Sequence, residues 1–454
     1  MENNRDQYKK FIYFIEVIIL VAIFTAIFGG IWYSDLSKHI AVTFFRRGHW
    51  AIIIGYGIVF LVLAKLFGGF KISVARKTDL FFSYIATAVF TNAAMYFIVV
   101  ALTLEYEHLS VFVVLLIIEI ALIIIWVLAV GAVNNSIYPP HNMLLVHGDY
   151  QQKDIILTMN RQSNRYNIVE SVNIDKGFDY IKLLINKYEA IVISDVPAGL
   201  RNDVLKYCYD HDKRIYMLPK ITDIIVRSAD EIHIFDTPVL LARNYGLNFN
   251  QKLVKRISDI IISGILIIIT GIPMLIIALL IKLDDHGPVF FRQERLTRDA
   301  KAFNIIKFRS MSVDAEANGA QLAKKDDKRV TKLGKVLRRS HLDELPQLFN
   351  VFKGEMSMVG PRPERPEIMM DYMENIEEFA YRLKVKGGIT GYAQVYGKYN
   401  TTPYNKLRLD LIYIQNYTIF LDIKIMVLTL KIIFRKETSE GVEANQTTAL
   451  KEDK

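Results

Sequence analysis

The sequence predicts an integral membrane protein built in parts. A four-helix transmembrane block comes first, then a small Rossmann-like α/β domain. A re-entrant helix follows, with a mostly helical α/β domain at the cytoplasmic membrane surface. Three observations predict this. Four apolar runs of membrane-crossing length open the chain. Strands and helices then alternate at the spacing of a parallel sheet. A fifth apolar run carries an internal proline between two basic flanks. The expected borders are 1–140, 141–248 and 249–436, with a polar tail at 437–454.

The runs 11–31, 50–70, 80–104 and 109–133 can each cross ~30 Å of hydrocarbon as a helix. The first is too long for a signal-peptide core, so a cleaved signal is not expected. Loop 71–79 carries Lys71, Arg76 and Lys77, while loop 105–108 carries no Lys or Arg. The positive-inside rule puts the first of these in the cytoplasm and both ends of the block with it. Lys38, Arg46 and Arg47 lie in the loop between the first two runs and pull the other way. Glu16 and Glu119 interrupt apolar runs, and helix–helix contact is the expected role of each.

From 143 to 245 the pattern changes. Segments 143–147, 166–172 and 190–194 read as strands, with 178–188 as a helix between the last two. The first turn, Val146-His147-Gly148-Asp149-Tyr150-Gln151, lacks the second and third glycines of a dinucleotide-binding turn. A scaffold or regulatory role is expected there. The run 257–281 comes next, with Lys252, Lys255 and Arg256 before it and Lys282 after it. Pro273 inside it deletes a helix hydrogen bond and bends the axis. A bent, returning helix keeps both basic flanks at anionic headgroups and is expected here over the alternative, an ordinary kinked spanning helix. Between 301 and 340 there are eleven Lys/Arg and four Asp/Glu, a basic face. Segment 407–417 reads as a helix, and 419–434 is apolar with polar residues on two sides.

Composition agrees with this mixture. The chain has 454 residues, 52% hydrophobic and 23% charged, a net charge of +9 and one cysteine, Cys208. The single cysteine excludes an internal disulfide and suits soluble parts in a reducing cytosol. The positive balance favours anionic partners without choosing one.

The chemistry concentrates in Arg338-Arg339-Ser340-His341-Leu342-Asp343-Glu344-Leu345-Pro346-Gln347-Leu348 and in Gly360-Pro361-Arg362-Pro363. Two carboxylates stand beside several cations, as a metal-assisted phosphoryl site requires. Adjacent helical residues diverge by about 100°, so one shared proton is not expected. Separate roles fit better, one carboxylate attacking phosphorus and the other binding metal. Arg362 between two prolines is held on a stiff backbone and suits bidentate phosphate binding. Lys307, Arg309 and Arg338 are further anion-binding candidates.

From about 252 to 434 the chain resembles the bacterial polyprenyl-phosphate hexose-1-phosphate transferases, which are monotopic phosphoglycosyl transferases. The strings that carry the resemblance occur in order. They are Gly287-Pro288-Val289-Phe290-Phe291-Arg292-Gln293, Lys307-Phe308-Arg309-Ser310-Met311, Leu342-Asp343-Glu344-Leu345-Pro346-Gln347-Leu348, Val359-Gly360-Pro361-Arg362-Pro363 and Lys386-Gly387-Gly388-Ile389-Thr390-Gly391. The helical block and small α/β domain resemble the long-form members. The resemblance implies transfer of a sugar-1-phosphate, glucose or galactose first and N-acetylated sugars behind, from a UDP-sugar to polyprenyl (undecaprenyl) phosphate. UMP is released and Mg²⁺ is the cofactor. Asp343 would be the nucleophile that carries a covalent phospho-sugar, Glu344 the Mg²⁺ partner, and Arg362 a contact to the nucleotide-sugar phosphates. Asp410 falls in a matching later helix as a further substrate-binding candidate, and Pro273 matches the break of the family's re-entrant helix. The expected setting is a bacterial inner membrane, multi-pass, with the catalytic domain cytoplasmic, at the first membrane step of exopolysaccharide, capsule or O-antigen synthesis. Membrane lipids and a second copy of the chain are expected partners, and nucleic acid is not.

The chain departs from the family pattern in three places. His341 stands where small hydroxyl residues are usual. Arg298-Asp299-Ala300-Lys301 replaces a glycine-rich turn. Lys386-Gly387-Gly388 replaces a Lys-Pro-Gly-like turn. Two other classes fit the sequence less well. A membrane-anchored nucleotide-sugar dehydratase or epimerase needs the missing NAD turn. A non-catalytic scaffold does not need Asp343, Glu344 and Arg362.

Overall fold

Apolar sequence broken by short polar loops gives four long helices: α1 (Glu2–Ser34), α2 (Arg46–Phe67), α3 (Lys77–Thr103) and α4 (Leu109–Ile137). The computed structural model describes residues 2–41, 45–70, 72, 77–104, 109–137, 140–148, 152–160, 166–243, 246–312, 329–397 and 401–433. Lys71, Arg76, loop 105–108 and the tail from Glu437, which enter the orientation and tail expectations, lie outside these residues. Each helix packs on the next, and α1 also meets α4. Phe24, Phe28, Trp32, Tyr56 and Phe60 fill the centre. Phe28 stacks on Tyr56 with centroids 4.5 Å apart. The outward residues Ile54, Ile58, Val62, Val113 and Ile117 stay exposed, as a lipid-facing surface requires. Glu119 is fully buried and accepts hydrogen bonds from the Tyr56 hydroxyl and from Asn92 at 2.6 Å. It thereby ties α4 to α2 and α3. Asn134 donates to Glu16 at 3.4 Å and joins α4 to α1. Both acids therefore make the helix–helix contacts expected of them.

The same unit, Met1–Pro219, continues into the α/β domain. Its elements are β1 (His141–His147), α5 (Gln152–Asn160), β2 (Tyr166–Asn173), α6 (Phe178–Lys187), β3 (Ala190–Ser194), α7 (Ala198–Asp210) and β4 (Arg214–Met217). The sheet order is β2-β1-β3-β4, all parallel. Met143–Val146 and Ile191–Ile193 are buried on both faces, which is why they read as unbroken apolar runs. Where β1 and β3 diverge, the Gly148 N–H donates to the Ser194 carbonyl at 3.2 Å. A side chain at Gly148 would stand 2.4 Å from the Asp195 carbonyl.

The second unit, Lys220–Lys454, opens with α8 (Ile221–Arg227) and a hairpin, β5 (Asp230–Ile234) and β6 (Thr237–Leu241). Here the structure differs from the border expected at 248. Ile221 and Ile224 of α8, with Leu247, are buried in the core of the second unit. Periodicity shows that a helix is amphipathic but not which core receives its apolar face.

Next comes α9 (Phe249–Asp285), 37 residues that stay helical through Pro273. Then follow β7 (Phe290–Leu296) and β8 (Ala302–Phe308), α10 (Lys332–Ser340), α11 (Gln347–Lys353), β9 (Ser357–Val359) and α12 (Pro366–Asn375). The elements end with β10 (Gly388–Thr390), α13 (Tyr392–Tyr396), α14 (Pro403–Gln415) and α15 (Ile419–Ile433). Strands β7 and β8 pair antiparallel, and β9 pairs with β10 in parallel. The core gathers Val351, Met356, Val359, Phe379, Leu407, Leu411, Tyr413 and Ile425.

Both halves of α9 pack on this one unit. Lys255 donates to Asp422 at 2.6 Å and to the Tyr413 hydroxyl at 3.0 Å. Asp259 accepts from the Ser357 hydroxyl and the Met358 N–H at 3.0 and 2.9 Å. Beyond Pro273, Met274, Ile277 and Ile281 pack with Phe308 and Leu337. The opposite side is bare. Ile268, Ile272 and Leu275 are 72–80% exposed.

The turn between β7 and β8 settles one departure. Asp299 and Ala300 both have positive φ, 59° and 56°. Glycine adopts that left-handed backbone without cost and other residues do not. The chain keeps a glycine-type turn with non-glycine residues.

Candidate active site

On β8 the side chains alternate, and Lys307 shares the buried face of Phe303 and Ile305. An ammonium at that edge needs a partner. It finds Glu344 Oε1 at 2.7 Å. Glu344 is delivered by a sharp reversal. Thr331 caps the start of α10 with a bond from the Gly334 N–H at 2.9 Å, and His341 ends it with a left-handed φ of 57°. A 3₁₀ turn, Leu342–Glu344, follows, and Pro346 leads into α11. Gly334 is required here, since a Cβ would sit 1.9 Å from the Ser310 carbonyl.

Arg362 arrives from the other side. Its Nη2 donates to the same Oε1 of Glu344 at 2.7 Å. Its loop is pressed on the glycine string, because a Cβ at Gly388 would lie 2.1 Å from the Gly360 nitrogen. Beneath it, Arg382 Nη2 donates to the Arg362 carbonyl at 3.0 Å and to Asp410 at 2.8 Å. Arg295 donates to the Pro363 carbonyl at 3.0 Å. Glu364 receives Lys406 at 3.3 Å and Arg382 at 3.4 Å. Burial alone would raise the Glu364 carboxyl, but Lys406, Arg382, Arg295 and Arg362 bring it down to about 2. Burial likewise opposes charge on Glu344, yet Arg362 and Lys307 hold it well below the usual carboxylate range.

Asp343 differs. It is 9% exposed and makes no hydrogen bond or ion pair among the described residues. Burial pushes its carboxyl up, against the pull of Lys307 and Arg338. The two carboxylates are thus unlike, one clamped by two cations and one unbonded.

Four of the residues expected at the site therefore meet: Asp343, Glu344, Lys307 and Arg362. Arg338 lies alongside, its Nε donating to the Ser310 hydroxyl at 2.8 Å. Arg309 is buried and donates to the Pro288 carbonyl at 2.7 Å, so it braces the turn after α9. Asp410 is 1% exposed and faces Arg382. Pro273 lies within α9. Arg295, Glu364, Arg382 and Lys406 were not expected. Glu364 directly follows the Gly-Pro-Arg-Pro string and could have been found there.

Among the described residues no three His, Cys, Asp or Glu converge as a metal cage. Mg²⁺ does not need one. It takes one or two carboxylates with substrate phosphates and water. Asp343 and Glu344 fit that demand.

A nearly buried carboxylate pair under arginine and lysine, on a unit with an apolar helix along it, is what a membrane-associated enzyme of phosphorylated substrates needs. Residues 250–436 match the family model described as bacterial sugar transferase. The chain is 33% identical over 323 residues to the UDP-N-acetylgalactosamine-undecaprenyl-phosphate N-acetylgalactosaminephosphotransferase of Aeromonas hydrophila, covering 69% of this chain and 71% of that protein. It is 35% identical over 256 residues to the UDP-glucose:undecaprenyl-phosphate glucose-1-phosphate transferase of Klebsiella pneumoniae, covering 55% of this chain and 53%, about half, of that one. A third relative is the uncharacterized sugar transferase EpsL of Bacillus subtilis, 38% identical over 199 residues, 43% of this chain and 94% of that protein. The chain belongs to the bacterial sugar transferase family, in the group of polyprenyl-phosphate hexose-1-phosphate transferases.

Proposed function

We propose that the chain transfers a hexose-1-phosphate, glucose or galactose, from a UDP-sugar to polyprenyl phosphate and releases UMP. The observation that carries this reading is the unbonded Asp343 beside the doubly clamped Glu344. The Asp343 carboxylate attacks the phosphorus that bears the sugar. The pyrophosphate bond breaks, and UMP leaves with the bonding electron pair. A phosphate oxygen of the lipid then attacks the same phosphorus and displaces Asp343. A covalent intermediate lets two bulky substrates use one site in turn. Arg362 is half exposed and always charged, so it can hold the diphosphate while bonded to Glu344. Lys307 keeps Glu344 ionised and in place. Glu344 Oε2 accepts no hydrogen bond among the described residues, which leaves it an oxygen to offer Mg²⁺. When bound, that ion neutralises phosphate charge.

The membrane placement belongs to the same proposal. A straight helix of 37 residues is ~55 Å long, far more than a bilayer core needs. Its two halves nevertheless rest on one unit. The reading is that α9 enters the inner membrane, bends at Pro273 and returns, which holds Asp343 at headgroup height on the cytoplasmic side. The reaction is that of a first membrane step in capsule, exopolysaccharide or O-antigen synthesis.

The test is Asp343→Asn, which keeps the shape and removes the nucleophile. With labelled UDP-sugar and polyprenyl phosphate in vesicles, lipid-linked product is expected to fall by about 10³-fold or more. A rate within tenfold of wild type would falsify the nucleophile assignment.

A further inference from the structure

A second group of cations lies apart from the Glu344 clamp. Thr297 Oγ1 donates to the Glu355 carbonyl at 3.2 Å and accepts from the Gly387 N–H at 3.1 Å. That node draws three chain segments together, and each carries a cation beside it. Arg298 follows Thr297. Lys386 precedes Gly387. Arg256 lies over Gly354, its guanidinium 3.1 Å from where a Cβ would be.

The charge there is poorly balanced. Arg256 spends two N–H groups on the Val351 and Phe352 carbonyls, at 2.8 Å each, and keeps others. Among the described residues Arg298 pairs only with Asp299, its exposed neighbour, at 3.1 Å. Lys386 makes no hydrogen bond or ion pair among the described residues. Burial lowers its affinity for a proton, and Arg256 and Arg298 lower it further. Asp259, the carboxylate that acts on Lys386, is already taken by Ser357 and Met358.

The neighbourhood of the group points to a ligand. Phe349 and Phe352 of α11 are 37% and 48% exposed, and the Phe352 ring lies 3.6 Å from the Cβ position of Gly264 on α9. Together with Ile257, Ile261 and Ile265, all at least half exposed, they form an apolar surface. The Arg256 bond to the Phe352 carbonyl puts that cation at the rim of the surface, and Lys386 is close enough to feel both Arg256 and Arg298. A cluster at such a rim sits at the level of lipid phosphates. We infer that Lys386, Arg298 and Arg256 bind the phosphate of a membrane lipid, at a site separate from the reacting carboxylates. This rests on the membrane-facing placement of α9.

The test uses the full chain and the variant Lys386→Gln with Arg298→Gln. Arg256 is left in place because it also caps α11. Native mass spectrometry would count phosphatidylglycerol and phosphatidylcholine retained from a mixed micelle. The wild type is expected to prefer phosphatidylglycerol, and the double variant to lose that preference by about tenfold. Lost preference with an unchanged KM for polyprenyl phosphate assigns a glycerolipid headgroup. An unchanged preference with a raised KM for polyprenyl phosphate assigns the acceptor lipid. If neither changes, the site is overturned. Independently, labelling of Ile272→Cys by a water-soluble maleimide would overturn the placement of α9, and the site with it.

Discussion

Asp410 is sealed under the site and bonded to Arg382, so its influence on phosphate binding passes through the Arg362 carbonyl that Arg382 holds. Its sequence position suggested a substrate contact, and its burial argues for a support. The two roles predict different failures. Asp410→Asn leaves Arg382 buried with Glu364, at 3.4 Å, as its one charged partner among the described residues. Breaking one side of a buried pair costs about 3–5 kcal/mol. The urea midpoint of the second unit should therefore fall, while KM for the UDP-sugar changes little in the folded fraction. A raised KM with an unmoved midpoint would show a direct substrate contact instead. Asp343 and the clamp residues Glu344, Lys307 and Arg362 were legible because each lies in a short string whose composition is itself unusual. The network below was not. Arg382 reaches Asp410 across 28 positions and Glu364 across 18, and no local pattern marks such pairs.

Among the elements, α9 shows what periodicity yields and what it withholds. The apolar run, its basic flanks and Pro273 pointed to a long apolar helix, which the structure has, and to a bend within it. They could not show that Lys255, Arg256 and Asp259 on one half, and Met274, Ile277 and Ile281 on the other, serve a single unit. Those contacts make a prediction about sides. If α9 crossed the bilayer once, its two ends would face different compartments, and one set of contacts would have to be torn from the unit. Single cysteines at Lys252, in the first turn of α9, and at Lys301, beyond its far end, would both be exposed and report its two ends. The native Cys208 is buried and gives little background. Both reporters should react with an impermeant maleimide only in inside-out vesicles. Reaction of one from each side would show a spanning helix and end the re-entrant reading. The small α/β domain was easier to read. Its central strands β1 and β3 are buried on both faces, so they stand out as unbroken apolar sequence.

At the scale of the whole molecule, the question is how much of the chain the chemistry needs. The family match begins at residue 250, and the Bacillus relative is spanned almost entirely by 199 aligned residues. A cut near Gln251 would therefore look natural. The packing says otherwise for this chain. Ile221, Ile224 and Leu247 are 4–5% exposed, and all three lie in the core that supports Tyr413 and Val359. Tyr413 in turn bonds Lys255 and Asp422, which hold α9. Losing three buried aliphatic side chains removes about 1.5–3 kcal/mol each. A fragment of 220–454 should keep that core and make lipid-linked product in vesicles, with Asp343, Glu344, Lys307 and Arg362 all present. A fragment of 251–454 should unfold at markedly lower urea and lose activity on warming. Equal midpoints for the two would show α8 to be dispensable. A folded but inactive 220–454 would show instead that the first 219 residues take part in catalysis, and the transferase site would then be only one half of the working enzyme.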